Sequence, residues 1–168
     1  MSDSIIKEIE EIDHWYQKLH HSKPKLTKLQ FYFHDTISGP AKTTVTVVPP
    51  PEPSTTLFGQ INMFDDPLTM GPEPTSKLLG RAQGLYAFAS HDEISLLMAV
   101  TFVLTSGKHN GSSFTILGRN AVEHSTRDFP IVGGTGHFRL ARGFAIAQTY
   151  LVNASVAIVE YNVAIMHY

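Results

Sequence analysis

The chain has 168 residues, of which 42% are apolar and 17% charged: enough apolar material for one packed core, too little charge for a disordered chain. Lys+Arg 13 against Asp+Glu 15 gives a net charge of −2, which argues against a protein that works by neutralising nucleic-acid phosphates. The absence of cysteine removes disulfides, thiolate catalysis and cysteine-ligated metal centres, and no apolar run approaches the ~18 residues of a membrane-spanning helix.

Residues 4–19 read as an amphipathic helix, with Ile5, Ile9, Ile12, Tyr16 and Leu19 on one stripe and Ser4 as N-cap. Pro24 ends it, so residues 1–25 are expected to form a helical extension and 26–168 the main domain. From Leu26 the period changes to two. Leu29, Phe31, Phe33 and Asp35 share one strand face, and Gln30, Tyr32 and His34 the other. Thr43–Val48 follows as a β-branched strand, stopped by the stiff, exposed Pro49-Pro50-Pro51-Glu52-Pro53. Leu57–Phe64 reads as a strand ended by Asp65-Asp66-Pro67. Further strands are expected at Leu79–Phe88, Ile94–Thr105, Ser112–Leu117, Phe138–Thr149 and Val156–His167. Turns are expected at Gly107–Gly111, Gly118-Arg119-Asn120, Gly133-Gly134-Thr135-Gly136 and Val152-Asn153, and an apolar strand follows Thr126-Arg127-Asp128.

About eight strands with short connections predict an antiparallel sandwich or barrel, and an eight-stranded barrel can hold one small ligand. Ile94–Leu104 and Val156–Met166 are apolar on both faces, so the outer wall is expected to be covered by partner copies.

Gly133-Gly134-Thr135-Gly136 fits neither a dinucleotide nor a P-loop pattern. The nine histidines show no His-x-His and no His-Glu-x-x-His spacing, so they read as solvated surface and no metal site is expected. No redox motif is present, and no cofactor is expected. His34-Asp35 is the pair of interest. An acid beyond three inward apolar residues is a candidate general acid with a raised pKa, or else a turn cap. Arg127 reads either as an anchor for a phenolate or carboxylate or as a surface ion pair, and Arg81 and Arg142 sit in otherwise apolar strands, each needing a partner. No secretion signal is visible at the start. The chain reads as cytosolic or as a mature form, and the sequons at Asn110 and Asn153 favour the latter.

Phe31-Tyr32-Phe33-His34-Asp35, Phe64-Asp65-Asp66-Pro67, Gly80-Arg81-Ala82-Gln83-Gly84-Leu85-Tyr86, Thr126-Arg127-Asp128 with Val132–Gly136, and Ala141-Arg142-Gly143 occur in that order. Together they resemble the plant dirigent protein family, from about Leu26 to Tyr168. The resemblance implies an all-β, eight-stranded antiparallel β-barrel with a short N-terminal helix, forming a homotrimer in the apoplast or cell wall. It implies a protein that steers reactive phenolic species without an oxidase centre of its own, with a small phenolic substrate and no nucleic-acid or membrane partner. By resemblance Asp35, Tyr86 and Arg127 are the catalytic residues. Asn120, Phe31, Phe33, Phe88 and Phe102 are expected to bind substrate on the barrel wall, with Leu85 a further liner, and the sequons mark Asn110 and Asn153 as expected glycosylation sites. Asn120 stands where lignan-forming members carry an aspartate, and His137 replaces another. That pattern resembles the branch containing pterocarpan synthases, which close a ring on an isoflavanol by dehydration through a quinone methide. The alternatives are stereoselective coupling of phenoxy radicals made by a separate laccase or peroxidase, and a non-catalytic phenolic-binding barrel.

Overall fold

The structure is a computed structural model that describes the chain from Asp3 to Tyr168. Helix α1 spans Asp3–Leu19. Ser4, expected as its N-cap, falls inside the helix, with its side chain outside the described residues. The Ile5–Ile9–Ile12–Tyr16 stripe is exposed, and α1 touches the barrel where Arg139 lies 5.0 Å from the Trp15 ring.

Nine strands follow: β1 (Lys25–Thr36), β2 (Thr44–Val48), β3 (Ile61–Thr69), β4 (Leu78–Phe88), β5 (Ser95–Leu104), β6 (Ser113–Ala121), β7 (Arg127–Thr135), β8 (Arg142–Val152) and β9 (Val156–His167). They form one antiparallel sheet in the order β1-β9-β8-β7-β6-β5-β4-β3-β2, and a β1–β3 pairing closes it. Eight strands make the barrel and β2 is the extra one. Full closure leaves the staves no open edge.

Local turn signals misplace three segments. Asp65, Asp66 and Pro67 do not end a strand; they lie inside β3, while Leu57–Gln60 is not strand. Pro67 is tolerated because its missing donor falls where β3 changes neighbours, between β2 pairing at Phe64 and β1 pairing at Leu68. Gly118-Arg119-Asn120 is not a turn but the continuation of β6, paired with Leu96–Met98. Gly133-Gly134-Thr135 ends β7, a stave that carries Pro130, and only Gly136 (φ +60°) makes the turn. The polyproline segment is exposed, but its continuation folds back onto β4 through backbone bonds between Gly59 and Phe88 and between Phe88 and Gln60.

The inward residues are mostly aromatic. Phe31, Phe102, Phe114 and Phe138 are at most 1% exposed and pack ring to ring around the middle and one end of the barrel. Three histidines are buried rather than solvated. His34 lies on the outer side of β1, tied by Nε2 to Thr69 Oγ1 at 2.6 Å. His109 and His167 lie at the aromatic-packed end.

Candidate functional site

The β1–β3 register pairs Tyr32 with Thr69 and Phe33 with Leu68. Carried two residues further, it sets Asp35 opposite Asp66. The two strands part there, and β2 enters the seam along β3. Its first residue and the one before it supply what the acids need. Thr44 Oγ1 donates to Asp35 Oδ1 at 2.6 Å, and Thr43 Oγ1 donates to Asp66 Oδ1. The resulting unit is two carboxyl groups on neighbouring staves, one held by Thr44 of the inserted strand and the other by Thr43 just before it.

Both acids are buried, Asp35 at 6% and Asp66 at 0% exposure. Burial raises the Asp35 pKa, opposed by the bonds from Thr44 and Tyr86. Burial pushes Asp66 up to about 8, and the neighbouring Asp35 charge adds to the rise. Asp66 Oδ2 has no partner in the fold. Asp35 receives two donors and Asp66 one, so the proton of the pair resides on Asp66 at neutral pH.

Tyr86, inward on β4, donates to Asp35 Oδ2 at 3.4 Å and packs beside Phe64 and Phe88. Burial and the Asp35 charge raise its pKa, so it stays a donor. Arg127 opens β7 and is 5% exposed. Its Nε donates to Asn120 Oδ1 at 3.1 Å and Nη1 to the His124 carbonyl at 3.2 Å. No carboxylate pairs with it among the described residues. Burial lowers its pKa, partly offset by Tyr161. A desolvated guanidinium held by neutral oxygens retains attraction for an anionic guest.

The structure therefore brings Asp35 and Tyr86 into contact, and joins Arg127 to Asn120. Phe33, adjacent to Asp35 on the inward face, packs against Phe64 and Tyr161. Phe88 is half-buried against Tyr86. Phe31 and Phe102 stack with Phe114 and Tyr161 one to two inward positions deeper, as core. Leu85 points outward, opposite in parity to Tyr86. Arg81 finds Asp65 on the outer wall, and Arg142 bonds the carbonyls of Val132 and Ala141. Asn110 and Asn153 are both exposed. Asp66 is the residue the sequence reading missed as a site. The signal available was parity: Asn62, Phe64, Asp66 and Leu68 alternate, so Asp66 shares its face with a core phenylalanine and leucine.

The Dirigent-like protein family matches residues 26–166. Dirigent protein 1 of Arabidopsis thaliana is 49% identical over 146 residues, covering 85% of this chain and 80% of that protein. Pterocarpan synthase 1 of Glycyrrhiza echinata is 45% identical over 149 residues, covering 86% and 79%. The solved structure of the pterocarpan synthase dirigent protein GePTS1 superposes with a TM-score of 0.82 at 44% identity, covering 88% of this chain and 87% of that one. A family model spanning nearly the whole barrel, relatives at 45–49% identity and a closely superposing fold agree, and the chain belongs to the dirigent protein family.

Proposed function

We propose that this dirigent protein dehydrates a hydroxylated phenolic substrate, an isoflavanol in the manner of the pterocarpan synthases it resembles, and closes a ring stereoselectively. The observation that carries the reading is the buried Asp35–Asp66 pair, which offers one proton and one carboxylate to a guest at the same depth as Tyr86.

The step needs no oxidant. The pair's proton passes to the leaving hydroxyl as the benzylic C–O bond breaks, and water departs. The conjugated phenol gives up its own proton to the carboxylate left behind, so the guest becomes a neutral quinone methide and the pair regains its proton. Arg127 and Tyr86 hydrogen-bond the phenolic oxygens and stabilise the charge that develops there. A second phenolic hydroxyl of the same guest then adds to the exocyclic carbon, and its proton returns to the former carbonyl oxygen. The net change is loss of one water, with the benzylic C–OH bond replaced by a C–O bond to the second phenolic oxygen. Phe33, Phe88 and Asn120 set which face is attacked. A difference of ~2.7 kcal/mol between faces gives roughly a hundredfold preference.

The protein acts as a secreted homotrimer in this reading. Two exposed sequons support secretion, and the apolar outer wall supports assembly. The test is product analysis on a chiral column after incubation with an isoflavanol alone and, separately, with coniferyl alcohol plus an oxidant. Ring-closed product without oxidant is expected, and Asp35→Asn should abolish it while the substrate still binds. Enantiomeric excess only in the oxidant arm would assign the barrel to radical coupling instead. No product in either arm would leave a carrier.

A further inference from the structure

One inward tyrosine has no part in the reaction as described above. The cross-strand registers set Arg127 of β7 beside Ala147 of β8, Ala147 beside Tyr161 of β9, and Tyr161 beside Phe31 of β1. All four are buried, at 5% exposure or less. The small Ala147 in the middle of this row lets the guanidinium and the phenol ring lean toward each other. Burial raises the Tyr161 pKa, opposed by the Arg127 charge and reinforced by that of Asp66, so the hydroxyl keeps its proton and lies within electrostatic reach of both groups.

The ring of Tyr161 is fixed, with centroids 5.3 Å from Phe102, 5.7 Å from Phe31 and 6.2 Å from Phe129. Its hydroxyl is not. A buried tyrosine O–H normally finds a partner, and this one makes no hydrogen bond among the described residues. The side-chain atoms that lack both a partner and accessible surface belong to His34, Asp66, His109 and His167. The Tyr161 oxygen is therefore partnerless but still open to a guest. The same holds for two donors near it. Asn120 Oδ1 accepts from Arg127 Nε at 3.1 Å, which leaves the amide NH2 group free, and Arg127 bonds through Nε and Nη1, which leaves Nη2. Neither Asn120 Nδ2 nor Arg127 Nη2 has a partner, and neither is sealed. Three donors from β6, β7 and β9 thus lack an acceptor, an arrangement suited to an oxygen that gains negative charge.

We propose that Tyr161 is a further catalytic residue, which joins Arg127 and Asn120 in donating to the guest's phenolic oxygen conjugated with the benzylic carbon, the oxygen that becomes the quinone methide carbonyl. The identity of the guest rests on the dehydration reading; the donor set does not. That carbonyl draws in electron density as the second phenolic oxygen attacks, so donors aimed at it favour ring closure over the unreacted ground state. The set also selects substrates. A guest with hydrogen in place of that hydroxyl leaves desolvated donors without an acceptor, and is rejected on that account.

The test compares the native protein with Tyr161→Phe, which keeps the packed ring and removes only the hydroxyl. Calorimetric titration uses two probes: 4-nitrophenol at a pH where it is ionised, and 4-nitroanisole, its methyl ether, which carries no charge. The native protein is expected to bind the nitrophenolate, and the variant to bind it about tenfold less tightly for one lost charge-assisted bond. Both should bind nitroanisole equally. Turnover of the isoflavanol by the variant should fall about a hundredfold, with the loss in kcat rather than KM. A tyrosine that only packs would weaken both probes together when altered. That outcome overturns the proposal, as does equal affinity of native protein and variant for nitrophenolate, or failure of the native protein to bind it. The probe titrations need no turnover, so an isoflavanol left unconverted by the native protein overturns the dehydration reading and leaves the role of the Tyr161 hydroxyl to be decided by the probes.

Discussion

Asp35 and Asp66 show how a buried acid is kept in a fold that must also be stable. Each carboxyl is desolvated by aromatic neighbours, and each keeps a threonine donor. The sign of the resulting pH dependence follows from the direction of the shifts. Both folded-state pKa values lie above the unfolded ones, so the stabilising protonated form is complete below the unfolded value of 3.8 and is lost as pH rises through the folded value, about 8 for Asp66. Asp66→Asn removes a group that must otherwise be charged in a dry site. The Tm of this variant should therefore gain on that of the native protein as pH rises from about 4 to about 8. A Tm difference that stays constant across that range would mean Asp66 titrates as in solvent. Asp35 was legible in the sequence because three apolar residues precede it in strict alternation. Asp66 was not, because Asp-Asp-Pro carries a strong local stop signal. Its partner Thr43 stands just before β2, 23 residues upstream, and reaches Asp66 only through the β2–β3 pairing.

At the scale of the element, the same competition between local signal and long-range pairing explains which strands could be read. β1, β4, β5 and β9 are long apolar runs bounded by turn signals, and their positions agree with expectation. β7 was blurred by Pro130 and two glycines, and β6 was cut short at Gly118. In each case cross-strand bonds override a weak local preference. The eight-stave count came out right by substitution: β2, counted from its β-branched sequence, stands outside the closed ring, and β7 is the stave in its place. Glycine in β4 has its own reason. A Cβ at Gly84 would sit 2.1 Å from the Ala99 carbonyl oxygen of β5, whereas one at Gly133 would meet nothing within 4 Å. Gly84→Ala must displace two paired strands next to Tyr86, which should cost about 3 kcal/mol or more. Gly133→Ala should be near neutral. Chemical denaturation of both variants checks the contrast, and equal midpoints would show that β4 and β5 can separate without cost.

For the whole molecule, the outer wall is the feature that a lone barrel leaves unexplained. Val45, Met63, Leu85, Ala99 and Leu117 are paired neighbours across five consecutive strands, forming an apolar row on the outside. Ile61, Ala87 and Leu97 make a second row beside it. Val45, Met63, Leu97 and Leu117 are 43–46% exposed in the single chain. The next row, Asp65, Gln83, Thr101 and Thr115, is polar and bounds the patch on one side. A contiguous apolar patch with a polar border is the form of a contact surface between chains. An assembly of the proposed kind would account for strands that are apolar on both faces, one lining the aromatic core and the other left for a neighbouring copy. Leu117→Glu places a charge in the middle of that surface without touching the interior. If the proposed homotrimer forms through this face, the variant should keep the native circular dichroism spectrum while its mass in solution, read by light scattering, falls to that of a monomer. Stereoselectivity measured on the same sample then tells whether the barrel works alone. An unchanged mass would move the contact to another face, and retention of ring closure by a monomer would confine the chemistry to one chain.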